Sequence, residues 1–127
     1  MCVHICTIMT CTDPRLAAAQ ALDRALDPGF LDALGHPVRV ALIRALILAG
    51  AADIATLAGR FPQDRSVISR HLSVLERAGI ATSRREGRAV VYDLNGPGLV
   101  ARLRHVQAAA ETLAAICCPP PEKAQPE

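Results

Sequence analysis

The sequence predicts a mostly helical fold carrying one β-hairpin, and three observations predict it. Hydrophobic residues make up 51% of the 127 residues and aromatics only 2%, so the core must be assembled from Leu, Val, Ile and Ala. That mix suits packed helices better than a β-sandwich. Several stretches repeat apolar residues at helical spacing. One stretch, from Ala81 to Leu94, instead alternates and is interrupted by Glu86-Gly87, the pattern of two strands joined by a tight turn.

In chain order, residues 1–12 lack periodicity and read as a flexible arm containing Cys2, Cys6 and Cys11. Cys2 and Cys6 would share a face if the arm turned helical. Asp13-Pro14 opens an Ala-rich helix running to about Leu26, with Pro at a favoured first-turn position. Asp27-Pro28-Gly29 interrupts it, a short helix spans Pro28 to Leu34, and Gly35-His36-Pro37 makes a second break in which His36 serves helix entry. From Val38 to Leu48 the chain is strongly apolar, with Val38, Leu42, Ala45, Leu46 and Ala49 on one stripe, and Gly50 ends this central helix.

A short helix is expected from Ala52 to Arg60, followed by a tight connection at Phe61-Pro62-Gln63. The stretch from Asp64 to Ile80 is the most amphipathic of the chain: Val67, Ile68, Leu72, Leu75, Ala78 and Ile80 form its apolar stripe. The Asp64 carboxylate stands where an N-cap belongs, and Gly79 where a helix stops in the left-handed conformation. The strands of the hairpin are expected at Ala81–Arg85 and Arg88–Leu94, with Glu86-Gly87 at the tip. Gly96-Pro97-Gly98 then breaks the chain before a last helix from about Leu99 to Ile116, which Pro119-Pro120-Pro121 forbids from continuing. The expected organisation is a single domain from residue 13 to residue 118, with a disordered tail over 119–127.

The stretch from Asp64 to Ile80 carries Arg65, Ser66, Ser69 and Arg70 on the polar side of its start. A short helix, a tight connection and then such a helix make a helix-turn-helix, whose second helix can offer guanidinium and hydroxyl groups to base edges. A hairpin with Arg84, Arg85 and Arg88 around its tip, then another helix, completes a winged helix-turn-helix. The wing arginines can reach phosphates or the minor groove. His71 is either structural or a phosphate contact, and the plainer reading of the whole basic face is a solvated helix surface.

Charge placement agrees with a polyanion partner. The formal net charge is only +2, yet residues 60–104 hold nine arginines against four carboxylates, an excess of five positive charges. The remainder holds five cations against eight carboxylates, or −3. A basic middle between acidic ends favours a polyanion-binding face, which the helix-turn-helix reading makes double-stranded DNA, over indiscriminate stickiness. All but one of the 14 basic residues are arginines, which suit bidentate phosphate and guanine contacts. No apolar run is long enough to span a bilayer, and no cationic segment precedes an apolar block at the start, so a cytoplasmic protein is expected.

The five cysteines are Cys2, Cys6 and Cys11 at one end and the vicinal Cys117-Cys118 at the other. Clustered thiols in a reducing compartment are more often ligands or redox groups than structural disulfides. An enzyme is not expected: there is no CxxC in a βαβ setting, no nucleophile–base pair and no phosphate loop. A small metal carrier would leave the helix-turn-helix and wing unexplained.

Three ordered motifs carry a resemblance over about Phe30 to Leu94: Ala33-Leu34-Gly35-His36-Pro37-Val38-Arg39, Ser69-Arg70-His71-Leu72 continuing to Ala78-Gly79-Ile80, and Arg85-Glu86-Gly87-Arg88 continuing to Tyr92-Asp93-Leu94. In these the chain resembles the ArsR/SmtB family of metal-responsive repressors. The resemblance implies a homodimer joined through the first and last helices, seated on a palindromic operator and released by an inducer. The family's two familiar sensor patterns have no counterpart here. The thiol positions before the recognition helix hold Asp53, Ala55 and Ala58, and the zinc-type positions on the last helix hold Gly96, Gly98, Ala109 and Thr112.

The expected sensor is therefore the terminal cysteines. Cys117 and Cys118 would supply two sulfurs and one of Cys2, Cys6 or Cys11 a third, a soft set suited to As(III), or alternatively to Cd(II), Pb(II) or Zn(II) with His4 as a further candidate ligand. No organic cofactor is expected. Ligation would draw the arm and C-terminus together, shift the dimer and misalign the paired recognition helices. The alternative is a thiol-based redox or reactive-sulfur sensor on the same fold. The blander possibility is that Cys117 and Cys118 are small hydrophobes at a helix end.

Overall fold

A computed structural model describes residues 13–119. The arm with Cys2, His4, Cys6 and Cys11, and the tail beyond Pro119, lie outside the described residues. The elements are α1 (Pro14–Ala25), α2 (Pro28–Leu34), α3 (Pro37–Ala49), β1 (Ala52–Asp53), α4 (Ile54–Ala58), α5 (Arg65–Arg77), β2 (Ala81–Glu86), β3 (Ala89–Leu94) and α6 (Gly96–Cys117). The described residues divide into two compact units, one of residues 28–101 and one that joins residues 13–27 to residues 102–119.

The unit of residues 28–101 is a winged helix-turn-helix. Its core gathers Phe30 from α2, Leu42 and Leu46 from α3, Leu57 from α4, Ile68, Leu72 and Leu75 from α5, Ile80 just before β2, and Tyr92 from β3. The predicted stripe of α3 holds at Leu42, Ala45 and Leu46, but Ala49 at its end is exposed. The expected helix over Ala52–Arg60 divides. Ala52 and Asp53 pair with Tyr92 and Val91 as a third, antiparallel strand, and the sheet order is β1-β3-β2. The Asp53 carboxylate then accepts from the Thr56 N–H at 2.7 Å and starts α4. A strand of two residues leaves no alternation to read in the sequence.

Residues 59–64 link α4 to α5. Asp64 is the N-cap of α5 by backbone, but its side chain makes no cap hydrogen bond; only its carbonyl does so, accepting from Val67 and Ile68. The other end follows the sequence reading. Gly79 has φ 80°, its N–H donates to Glu76 O, and the Ile80 N–H donates to Leu75 O. This is a Schellman closure, with Leu75 and Ile80 both buried across it.

The wing turn sits one residue later than expected. Glu86 pairs with Ala89, so Gly87-Arg88 forms the two-residue loop, with Gly87 at φ 64° and Arg88 at negative φ. Positive φ at the first loop position alone is the mark of a II′ turn, which selects Gly there. Gly96-Pro97-Gly98 is not a break but the first turn of α6. Asn95 makes this possible: its Oδ1 accepts from the Gly98 N–H at 3.1 Å, and its Nδ2 donates to Gly79 O at 2.9 Å. One side chain thus caps α6 and closes the end of α5.

Arg39, 7% exposed, holds the front of the unit. Its Nε donates to Ala33 O at 2.9 Å and its Nη2 to Asp32 O at 2.7 Å, satisfying carbonyls of the last turn of α2. Its Nη1 lies 3.1 Å from His71 Nδ1 on α5. His36 caps α3 by accepting from the Val38 N–H at 3.1 Å, and its ring lies 4.6 Å from that of His71. Burial, then the charges of His36, Arg39 and Arg70, push the His71 imidazole below its usual value.

In the other unit, α1 begins at the Asp13 cap, whose Oδ1 accepts from the Arg15 N–H at 3.1 Å. Among the described residues, Ala18, Ala25 and Ala109 are its buried side chains, and Arg102 pairs with Asp27 at 2.7 Å. Ala21, Arg24, His105, Ala108, Ala109 and Thr112 line a cavity of about 200 Å³.

Two outcomes are expected from this architecture. A Cβ on Gly98 would run into the Asn95 amide and stand 3.0 Å from Gly79 O, so Gly98→Ala must expel the Asn95 side chain from its seat. The expected loss is about 1–3 kcal/mol, read from urea unfolding. Because the folded state disfavours a proton on His71, the unfolded chain binds that proton at a higher pH than the folded chain does. Stability is therefore full above about pH 6.5 and falls as pH drops from there toward the lower folded value. Urea midpoints at pH 7.5 and 5.5 should differ less in His71→Gln than in the wild type.

Candidate nucleic-acid interface

The N-terminal half of α5 presents Arg65, Ser66 and Arg70 to solvent, with Ser69 half-buried beside them. They stand opposite Ile68, Leu72 and Leu75, which are 0% exposed. The 3.6-residue repeat thus fixes one side of the helix in the core and leaves the other free. Of the residues expected on this face, His71 departs: it is half-buried and engaged with Arg39, at the edge between the two sides.

The wing supplies the second group of cations. Arg84, Arg85 and Arg88 are exposed, and the II′ turn carries Arg88 at its tip. Arg84 Nε is paired with Glu86 Oε2 at 2.7 Å, which ties part of its charge to the hairpin. Ser83 Oγ donates to Glu76 Oε2 at 2.7 Å, fastening β2 to α5. Helix face and wing are thereby parts of one fixed body. Sequence reasoning missed Arg39 and Asn95, the side chains that hold the middle of α5 through His71 and its C-terminal end through the Gly79 carbonyl. The signal available was a buried-type position filled by an arginine: Arg39 lies one turn before Leu42 and Ile43, in an otherwise apolar helix.

The terminal thiols occupy the other unit. Cys117 closes α6 and Cys118 follows it, with the Cys118 N–H still donating to Ala114 O at 2.9 Å. Both side chains are exposed, and their sulfurs lie 3.5 Å apart. A tetrahedral ion about 2.3 Å from each sulfur would hold a pair about 3.8 Å apart, so a small χ1 rotation fits both to one ion. The hydrogen bond and negative field of Cys117 push the Cys118 thiol up, against a small downward pull from Arg15. Among the described residues no group of three or more His, Cys, Asp or Glu gathers to hold a metal. The structure therefore brings Cys117 and Cys118 together, while Cys2, Cys6 and Cys11 lie outside the described residues. Asp53 is spent on capping α4, and Thr112 Oγ1 donates to Ala108 O, so the two positions that hold ligand-type atoms in the family's patterns serve local structure here.

Among the described residues no helix is long and apolar enough to cross a membrane. No family model matches the chain. An uncharacterised HTH-type transcriptional regulator of Mycobacterium tuberculosis is 30% identical over 70 residues, which is 55% of this chain and 61% of that protein. The match thus spans less than two thirds of that relative's length. Among solved structures, a possible transcriptional regulator for arsenical resistance shares 34% identity at a TM-score of 0.55, over 67% of this chain and 83% of its own. An ArsR-like transcriptional regulator from Rhodococcus sp. RHA1 shares 26% identity at a TM-score of 0.61, over 79% of this chain and 92% of its own. With the helix-turn-helix, the wing and the following helix in the same order, the chain belongs to the ArsR family of winged helix-turn-helix transcriptional regulators.

Proposed function

We propose that this chain is a homodimeric repressor that binds a palindromic operator and releases it when a thiophilic ion, As(III) foremost, is captured by Cys117 and Cys118 with a third thiolate from the N-terminal arm. The observation that carries the inducer is the pair of exposed sulfurs 3.5 Å apart at the end of α6. Soft thiolates favour soft ions, whereas no carboxylate–imidazole cluster is available among the described residues for a harder one. The likeness to a possible regulator for arsenical resistance at 34% identity supports the same choice.

Operator binding is supported by the face of exposed Arg65, Ser66 and Arg70 with half-buried Ser69, and by a wing tip at Arg88. Arg70 is assigned to base edges and Arg88 to phosphate or the minor groove. Dimerisation through α1 and α6 is supported by how little α6 buries: of its 22 residues only Ala109 is buried, and Leu103 is 46% exposed, as Leu16 of α1 is 52% exposed. Apolar helix surface of this extent is the usual raw material of a two-fold interface.

The test uses reduced protein on a fluorescent duplex from its own upstream region. As(III) should lower the anisotropy, and oxidant alone should not. Changing both Cys117 and Cys118 to Ser should leave duplex affinity within about twofold and abolish release; normal release by that variant would refute the thiol sensor. Arg70→Ala should lower the ratio of operator to unrelated-DNA affinity by about 1–3 kcal/mol. Arg88→Ala should weaken both duplexes alike and reduce the salt slope by about 1.

A further inference from the structure

A guanidinium has only donors, so in the 3.1 Å contact between Arg39 Nη1 and His71 Nδ1 the imidazole nitrogen is the acceptor and carries no proton. A neutral ring then bears its proton on Nε2. His71 Nε2 has no partner among the described residues and is not among the buried, unpaired polar atoms, so it reaches solvent. His71 follows Arg70 on α5, at the edge where the buried side gives way to the exposed one.

We propose that Arg39 is a positioning residue for DNA recognition: by keeping His71 Nδ1 as an acceptor, it fixes Nε2–H as an uncharged donor to a backbone phosphate of the operator. This rests on the reading of α5 as the DNA-facing helix. A residue at the edge of that face meets the wall of the groove, where phosphate oxygens lie, while the centre of the face meets base edges. An uncharged donor displaces no counterion, so the contact adds affinity without adding to the salt slope.

The neighbours of the ring keep it neutral. His36 approaches from the α2–α3 junction, Arg39 from α3 with the Asp32 carboxylate of α2 at 3.7 Å behind it, and Arg70 from α5 itself. Only Asp32 among them is anionic, and its charge is directed at Arg39. The same tautomer bars a metal from Nε2, because the ring proton would have to move to Nδ1 and face the guanidinium donor.

The experiment combines imidazole NMR of the full chain with binding to its own upstream duplex and to an unrelated one. In the wild type His71 should show the Nε2–H tautomer, and in Arg39→Met a mixture. His71→Asn, which offers no donor at the ε position, should lose about threefold to tenfold on both duplexes with an unchanged salt slope. His71→Gln, whose amide nitrogen falls near the place of Nε2, should retain affinity. Arg39→Met, which frees the ring to turn away as well as to share its proton between the two nitrogens, should then weaken binding about threefold to tenfold in the wild-type background and under about twofold in His71→Gln. Equal losses in the two backgrounds would make Arg39 merely structural and overturn the proposal, as would an Nδ1–H tautomer in the wild type. If Arg39→Met fails to fold, the wild-type tautomer and the contrast between His71→Asn and His71→Gln decide, and equal affinities for those two overturn it. Failure of the wild type to bind either duplex, with the tautomer as stated, would instead remove the operator reading and the phosphate contact with it.

Discussion

Ile68, Leu72 and Leu75 of α5 are completely buried in one cluster with Leu42 and Leu46 of α3 and Leu57 of α4, and the placement of every exposed group on that helix follows from this seam. Each such side chain contributes about 1.5–3 kcal/mol by leaving water. Rotating α5 about its axis would strip all of them from the core at once. The polar clamps refine what the seam sets: Arg39 at mid-helix through His71, Ser83 toward the end through Glu76, and Asn95 at the close through the Gly79 carbonyl. Each of these contacts is modest beside the apolar term, but each comes from a different neighbour. Together they leave the helix one orientation relative to the wing.

What could be read in advance was whatever repeats or punctuates. The α5 stripe, the Gly79 stop, the Pro28–Leu34 helix and the existence of a hairpin all follow from periodicity or from a backbone conformation that only certain residues tolerate. What escaped depends on partners distant in sequence. Ala52-Asp53 is a strand only because Tyr92 and Val91 stand beside it. Gly96-Pro97-Gly98 looks like an interruption until Asn95 is seen to cap it. The wing turn moved by one residue because strand pairing continued as far as Glu86 and Ala89, leaving Gly87 at the one loop position that needs positive φ. The exposure of Arg65, Ser66, Arg70, Arg84, Arg85 and Arg88 was legible from the spacing, whereas nothing in the local sequence announces that an arginine 32 positions earlier holds the His71 ring.

Buried surface differs sharply between the two units. In residues 28–101 the large aliphatic side chains are covered. In the other unit the buried side chains among the described residues are alanines, and long stretches of α1 and α6 remain apolar and open. Alanine-lined helix contacts permit close approach but contribute little transfer free energy each. A partner surface against α1 and α6 would supply what this unit lacks on its own, which fits a dimer in which these helices are shared.

The adjacency of Cys117 and Cys118 has a thermodynamic corollary. Neighbouring residues keep their sulfurs close whether the rest of the polypeptide is folded, unfolded, attached to DNA or free. A chelate made of those two alone would grip a soft ion about equally in every one of these forms, and a ligand with equal affinity for two states shifts neither. Under the proposed sensing, the driving force for letting go of DNA would then have to come from a third donor outside the pair.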